Sequence, residues 1–160
     1  MKLFACFLLV AVGWAAGGEA AKRQTEKYGR LCGVLSLLRT MNDGIRCTRT
    51  ELRKIFASFH DDALEKCGFL ACLSSGTFIS ESWKNAVLTL DADEDVTAAL
   101  LSLGDGLGTT DLVTQTERIE LCVSSLERKK NEEDKSLAGK VRSFRVLGAL
   151  ASLAAAIILY

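Results

Sequence analysis

The segment Leu103-Gly-Asp-Gly-Leu-Gly-Thr-Thr-Asp-Leu-Val-Thr-Gln115 organises the prediction of the fold. Its three glycines interrupt a helical pattern. Thr110 and Asp111 then suit a helix start, because their side-chain oxygens accept hydrogen bonds from the free backbone N–H groups of a first turn. No glycine follows before Gly139, and the chain contains no proline. We therefore predict a turn that begins one long helix, which continues into the uncharged tail at 146–160.

Composition and periodicity favour one all-α domain. The chain has 160 residues, enough for a modest core, and lacks proline, the strongest helix breaker. Apolar residues recur at three- and four-residue steps, which predicts helix faces that pack on a core. A further helix is predicted over 64–73, and Trp83 is the expected core anchor. The predicted core positions are Leu31, Val34, Leu35, Leu38, Met41, Leu52, Ile55, Phe56, Phe59, Trp83, Val87, Leu90, Ala99, Leu100, Leu103, Leu112, Ile119, Val123 and Leu126.

Both ends of the chain are uncharged, which predicts two membrane-spanning helices. Residues 3–18 would form a helix of roughly 24 Å, against a hydrocarbon core of ~30 Å, and Arg145 can lengthen the second span by snorkelling. The basic residues beside both spans lie on the side of the central domain, so the positive-inside rule places that domain in the cytoplasm. We predict an N-terminal transmembrane helix at 1–19, a cytoplasmic helical domain at 20–145 and a C-terminal transmembrane helix at 146–160.

Small residues mark one face of the predicted C-terminal span. Gly148, Ser152 and Ala156 are spaced four residues apart. Small residues at this spacing let transmembrane helices approach closely, so we predict that this face packs on another transmembrane helix.

The same two ends leave an alternative open. A basic start, an apolar middle and small residues at Ala15 and Ala16 also fit a cleavable signal peptide, and Ser136, Ala138 and Gly139 fit a processed anchor tail. With six cysteines, this alternative is a secreted or surface-anchored, disulfide-bonded helical binding protein. The cysteine spacing is irregular and one cysteine lies inside the apolar leader, which favours free thiols and a cytoplasmic domain.

No motif supports catalysis, a metal or a cofactor. The single histidine, His60, precedes two aspartates, but consecutive side chains on a helix diverge and cannot converge on one ion. The alternating aspartates from Asp91 to Asp95 start like a calcium loop, yet the required glycine and the closing glutamate are missing. The glycine-rich segment lacks the strand and the lysine of a phosphate-binding loop. The net charge is zero, which gives no case for nucleic acid.

Charge is nevertheless unevenly distributed along the chain. Residues 22–54 carry nine basic and three acidic side chains, whereas residues 61–111 carry two basic and ten acidic ones. A polarised surface of this kind suits a protein partner or a membrane surface better than a small-molecule pocket.

Several motifs resemble the stage III sporulation protein AB family of endospore-forming bacteria. The family has a Leu-Gly-x-x-Leu-Gly-x-Ser-Asp-x-x-x-Gln signature, a Trp segment and a Leu-Gly-led tail. The matching residues here are Leu103, Gly104, Leu107, Gly108, Thr110, Asp111 and Gln115 for the signature, Trp83 and Ala86 for the Trp segment, and Leu147 and Gly148 for the tail. An earlier segment departs from the family, with Cys47 in place of Tyr and Glu51 in place of Pro, which marks an unusual member.

The resemblance implies a function. Such proteins sit in the mother-cell membrane facing the forespore, in the secretion-like channel complex needed after engulfment. Their helical domain is similar to the inner-membrane platform subunits of type II secretion and type IV pilus machines, on which a cytoplasmic ATPase docks. The implied partners are the AA-type ATPase of stage III sporulation, other channel-complex proteins and membrane lipid. From the charge distribution, we predict Arg46, Arg49 and Arg53 as docking residues in a non-enzymatic protein.

Overall fold

The computed structural model describes the backbone of residues 2–48, 51–108 and 111–159, and the side chains of residues 18–47, 51–108, 111–143, 146, 147, 150 and 154. Within these ranges the chain is helical and contains no strand, which confirms the predicted all-α class. The helices are α1 Lys2–Asp43, α2 Leu52–Ser58, α3 Asp62–Lys66, α4 Phe69–Ser75, α5 Ile79–Thr89, α6 Glu94–Gly104 and α7 Leu112–Leu159, with a π-helical turn Gly44–Thr48 after α1.

The chain divides into two compact units. We call residues 27–131 the core unit and residues 1–26 with 132–160 the terminal unit. The core unit contains α2 to α6 and parts of both long helices. Within it, Arg39 of α1 pairs with Glu127 of α7 and Arg46 with Glu120, so these two helices run antiparallel.

One apolar cluster fills the core unit, and the predicted stripes supply most of it. Trp83 is fully buried between Phe56 and Phe69, with ring centroids 6.3 Å and 5.8 Å away. Its indole Nε1 donates a hydrogen bond of 2.7 Å to the carbonyl oxygen of Leu100, so the one polar atom of the ring is satisfied. The indole therefore joins α2, α4, α5 and α6.

Two details of the predicted helices were wrong. The helix predicted over 64–73 is two helices, because Gly68 adopts a positive φ of 82° that ends the first of them. The predicted core residue Leu112 is 52% exposed, since the apolar cluster of the described residues does not extend to the start of α7. The buried face of α7 instead begins at Gln115 and continues through Ile119, Cys122 and Leu126.

Two glycines of α1 accommodate α3. A Cβ on Gly33 would lie 2.7 Å from Asp61 Oδ1 and 2.9 Å from Leu64 Cγ. Asp61 is the N-cap of α3, and its side chain accepts from the backbone N–H groups of Ala63 and Leu64. Gly29, one turn earlier on α1, faces Ala63. The absence of a side chain at position 33 thus lets the capped end of α3 pack directly on α1.

The mixed charges of segment 127–135 predict a solvated helix stabilised by i,i+4 pairs. At the start of this segment, the charged side chains instead pair with residues far away in the sequence. Glu127 pairs with Arg39 at 2.6 Å, and Lys129 pairs with Asp93 at 2.9 Å. The Lys130 ammonium lies 5.8 Å from the centre of the Tyr28 ring. This part of α7 is therefore fixed to α1 and to the α5–α6 connection by side chains remote in sequence.

The terminal unit contains one segment of α1 and one of α7. Gln24 Nε2 donates to Glu133 Oε2 at 3.3 Å, and Lys140 Nζ reaches Glu133 Oε1 at 3.1 Å. Among the described residues, no helix combines the length and the apolar character needed to cross a membrane. The side chains of Gly148, Ser152 and Ala156 lie outside the described residues, so their packing role stays a prediction.

Candidate interaction surface

The family-like segment 103–115 forms the connection between α6 and α7. A Cβ on Gly104 would lie only 2.5 Å from Trp83 Cδ1, so the indole occupies the space that a side chain would need. Leu103 and Leu107 are buried on either side of this contact. Trp83 and Gly104, two residues shared with the family motifs, therefore form one packing unit that closes the core.

The second half of this segment starts α7. Gly108 has a φ of 79°, a left-handed conformation that favours glycine and reverses the chain after α6. Asp111 Oδ2 then accepts a hydrogen bond of 3.2 Å from the Thr114 backbone N–H, as the predicted helix start requires. Thr110, the other predicted capping residue, lies outside the described residues. Gln115 is buried, and its Nε2 has no hydrogen-bond partner among the described residues.

The cap at Asp111 predicts a pH-dependent contribution to stability. Hydrogen bonds from the Thr114 side chain, and then from its backbone N–H, lower the pKa of the Asp111 carboxyl below its ordinary value of 3.8. A carboxyl whose pKa is lower in the folded than in the unfolded state stabilises the fold above the unfolded pKa, and loses this effect as pH falls through the folded pKa. Thermal unfolding should therefore give Asp111→Ala a lower Tm than the parent at pH 7 and pH 5, and the difference should shrink below about pH 4. A difference that stays constant down to pH 2 would contradict the capping role.

Two of the three predicted docking arginines bind other groups of the protein. Arg46 is exposed, but its Nη1 lies 2.6 Å from Glu120 Oε1 on α7. Arg53 donates to the backbone carbonyl oxygens of Gly76 and Thr77, and so holds α2 against the α4–α5 connection. Arg49 lies outside the described residues. The sequence around Arg46 does not reveal its partner, because Glu120 is 74 positions away along the chain.

The charge imbalance along the sequence is partly neutralised by ion pairs within the core unit. Asp91 in the acidic segment lies 3.5 Å from Lys27 and 3.8 Å from Arg30 in the basic one. Lys84 pairs with Asp105 at 2.7 Å. The sequence-level split into a basic and an acidic face therefore overstates the polarity of the folded surface.

Exposed apolar side chains occur at the end of the core unit where α1 ends and α7 begins. Phe78, Leu112 and Val113 are 70%, 52% and 67% exposed. A Cβ on Gly108 would lie 3.7 Å from Ile79 Cδ1. Ile79 begins α5 and directly follows Phe78, so this residue pair brings the start of α5 close to the turn after α6. We call this end, formed by residues 44–46, 76–79, 104–108 and 111–117, the corner surface.

An open groove of about 430 Å³ crosses the corner surface. One wall comes from the π-helical turn that follows α1, and the other comes from the first turns of α7, as far as Glu120. The lining residues are Ile45, Arg46, Leu112, Val113, Thr116, Glu117 and Glu120. A mixed apolar and charged groove between two helices fits a peptide segment of a partner.

The reactive side chains of the described residues are not gathered into a site. His60 is exposed, and its Nδ1 lies 3.0 Å from the Ser58 carbonyl oxygen. No group of three or more His, Cys, Asp or Glu side chains in the described part of the chain is arranged to hold a metal. Burial raises the pKa of the Cys122 thiol to about 11, which keeps it protonated.

The described thiols are unpaired. Five cysteines, Cys32, Cys47, Cys67, Cys72 and Cys122, are free, while Cys6 lies outside the residues whose side chains are described. The disulfide-bonded secreted alternative thus finds no support among these five.

Among the described residues the chain is all-helical, with a closed apolar core and exposed apolar side chains at one end of the core unit. The model of the family described as stage III sporulation protein AB matches residues 2–160, and the chain belongs to this family. This confirms the resemblance seen in the motifs and gives the protein a role in sporulation. Neither a curated protein nor a solved structure matches the chain.

Proposed function

We propose that the protein is a non-enzymatic platform of the sporulation channel complex, held in the mother-cell membrane facing the forespore. In this role it docks the AA-type ATPase and supports forespore development after engulfment, together with other channel-complex proteins and membrane lipid. The predicted helices at 1–19 and 146–160 would anchor it, and the helical domain would act like the platform subunits of type II secretion. Family membership supports the sporulation role, and the exposed apolar corner surface carries the proposal of docking.

The corner surface suits docking for two reasons. Clustered apolar side chains on a folded surface lose contact with water when a partner covers them, and such clusters supply most of the binding energy at protein interfaces. Within α1 and α7, this surface is also furthest in sequence from the two predicted spans.

The three predicted docking arginines enter this proposal in different ways. Arg46 lines the groove of the corner surface. Arg53 fixes the connection that presents Phe78, since it binds the carbonyl oxygens of Gly76 and Thr77. Arg49 follows in sequence between them and is proposed as a further contact.

Replacing Val113 by aspartate is expected to weaken binding of the ATPase about tenfold or more, because the change removes an apolar contact and places a charge in the covered surface. The measurement is a titration of the ATPase against the full-length protein in detergent. Leu121→Asp is the matched control: Leu121 is also on α7 and is 70% exposed, but it does not line the groove. Both variants should unfold like the parent, since surface substitutions usually change stability by less than about 0.5 kcal/mol. Equal affinity for parent and Val113→Asp would refute docking at this surface.

A further inference from the structure

The groove on the corner surface continues along the line between α1 and α7. A second groove of about 360 Å³ lies further along the same two helices. It is lined by Arg39, Asn42, Asp43, Glu120, Val123, Ser124 and Glu127. Glu120 lines both grooves, so they are adjacent. We call the two together the seam grooves.

The described charges that line the seam grooves are mainly acidic. Two arginines stand against four carboxylates, which leaves a net charge of −2. Each arginine is already engaged: Arg39 with Glu127 and Arg46 with Glu120, both at 2.6 Å. The other two carboxylates, Asp43 and Glu117, are exposed, and no basic side chain of the described residues lies within 4 Å of either.

A neighbouring cation does not reverse this balance. Arg118 follows Glu117 on α7, but a Cβ on Gly106 would lie against Arg118 Nη1, so the guanidinium covers the α6–α7 turn. Arg118 is not among the residues that line the seam grooves. Among the described residues, the uncompensated charge in the grooves therefore remains negative.

The carboxylates without a basic neighbour set the chemistry of the seam grooves. Asn42 Nδ2 donates to Glu120 at 3.4 Å, so this amide already serves a carboxylate of the groove wall. Carboxylates are acceptors, and lysine and arginine side chains are donors only. The exposed carboxylates of Asp43 and Glu117 are thus complementary to a basic segment.

We propose that the seam grooves bind a segment of the docked ATPase in which apolar side chains contact Leu112 and Val113 and lysine or arginine side chains face Glu117 and Asp43. This inference rests on the proposed function and specifies the chemistry of its partner. The sequence instead predicted Arg46, Arg49 and Arg53 as docking residues. The difference arises because Arg39 and Arg46 are each held in an ion pair with a carboxylate.

Charge reversal in the full-length protein tests the proposal. Glu117→Lys and Asp43→Lys should each weaken ATPase binding about fivefold to tenfold, and Glu117→Gln should bind with a shallower dependence on salt than the parent. The matched control is Glu94→Lys. Glu94 is exposed in the first turn of α6, next to Asp93, and lies outside both grooves. Its charge reversal should leave the affinity unchanged.

A charge swap identifies the partner's side chain. Lysines and arginines of the ATPase are changed one at a time to glutamate, and one such variant should bind Glu117→Lys more tightly than it binds the parent. Recovery of this kind would establish a basic contact opposite position 117, because each single change separately places like charges together.

The outcomes separate this inference from the proposed function. If Val113→Asp weakens binding but Glu117→Lys and Asp43→Lys do not, docking at the corner surface holds and the basic segment is refuted. If only Arg46→Glu weakens binding, the partner segment is acidic and the inference is wrong. If the parent does not bind the ATPase at all, both fail. If Glu117→Lys changes only the self-association of the protein, the seam grooves hold a second copy of the chain, which also overturns the proposal.

Discussion

Trp83→Ala is expected to lower the free energy of unfolding by about 3–5 kcal/mol, the largest effect of any single change considered. The indole is fully buried, packs on Phe56 and Phe69, and donates to the Leu100 carbonyl oxygen. Removing it leaves a cavity where four helices meet, and no neighbouring side chain can fill a space of that size without moving a helix. Urea unfolding of the full-length protein, followed by circular dichroism, measures the loss.

Trp83→Phe serves as the graded comparison. Phenylalanine keeps the aromatic contacts but loses the hydrogen bond and part of the volume, so a loss of about 1–3 kcal/mol is expected. Gly104, which the chain shares with the family signature, lies against the indole. If Trp83→Ala unfolds at the same urea concentration as the parent, the indole does not hold the core together.

Gly33→Ala is expected to destabilise the protein by about 1–3 kcal/mol, although alanine is normally the better helix former. Its Cβ would approach Asp61 Oδ1 to 2.7 Å and displace the carboxylate that caps α3. Either α3 moves away from α1 or the cap is lost, and a lost cap by itself costs about 1 kcal/mol. The free energy of unfolding of the full-length protein is the measurement.

Gly29→Ala should have the opposite sign. A Cβ on Gly29 would lie 3.7 Å from Ala63 Cβ, which is an ordinary contact. Alanine in a helix is favoured over glycine by about 0.5–1 kcal/mol, so this variant should be slightly more stable than the parent. Both glycines are in α1, one turn apart, so the gain in helix propensity from alanine is the same for the two variants. A destabilised Gly29→Ala, or a stabilised Gly33→Ala, would contradict the packing described for α3.

Local patterns predicted the helices and much of the core. The recurrence of Leu31, Val34, Leu35, Leu38 and Met41 identifies a buried face because the helical period alone places them together. Asp111 is recognisable as a helix start for an equally local reason. These predictions succeeded where the relevant neighbours lie within a few residues along the chain.

Long-range contacts account for what the sequence did not reveal. Nothing near Arg46 indicates that Glu120 will neutralise it, and nothing near Gly33 indicates that Asp61 will approach it. The exposure of Leu112 has the same cause, since the helical stripe cannot show where the opposing helices end. Of the residues that line the seam grooves, the sequence predicted only Arg46 as a docking residue, because the net charge and the apolar surface of the candidate site depend on the tertiary fold.

The pairing of α1 with α7 has a consequence for how the protein folds during synthesis. Arg39 and Glu127 are 88 positions apart, and Arg46 and Glu120 are 74 apart, so the core unit is closed by contacts of high sequence separation. Such contacts slow folding, because a long loop must be ordered before they form. The apolar face of α1 leaves the ribosome well before α7 can help enclose it. A chain truncated after α6 should therefore expose this face and associate non-specifically, and only the emergence of α7 completes the core.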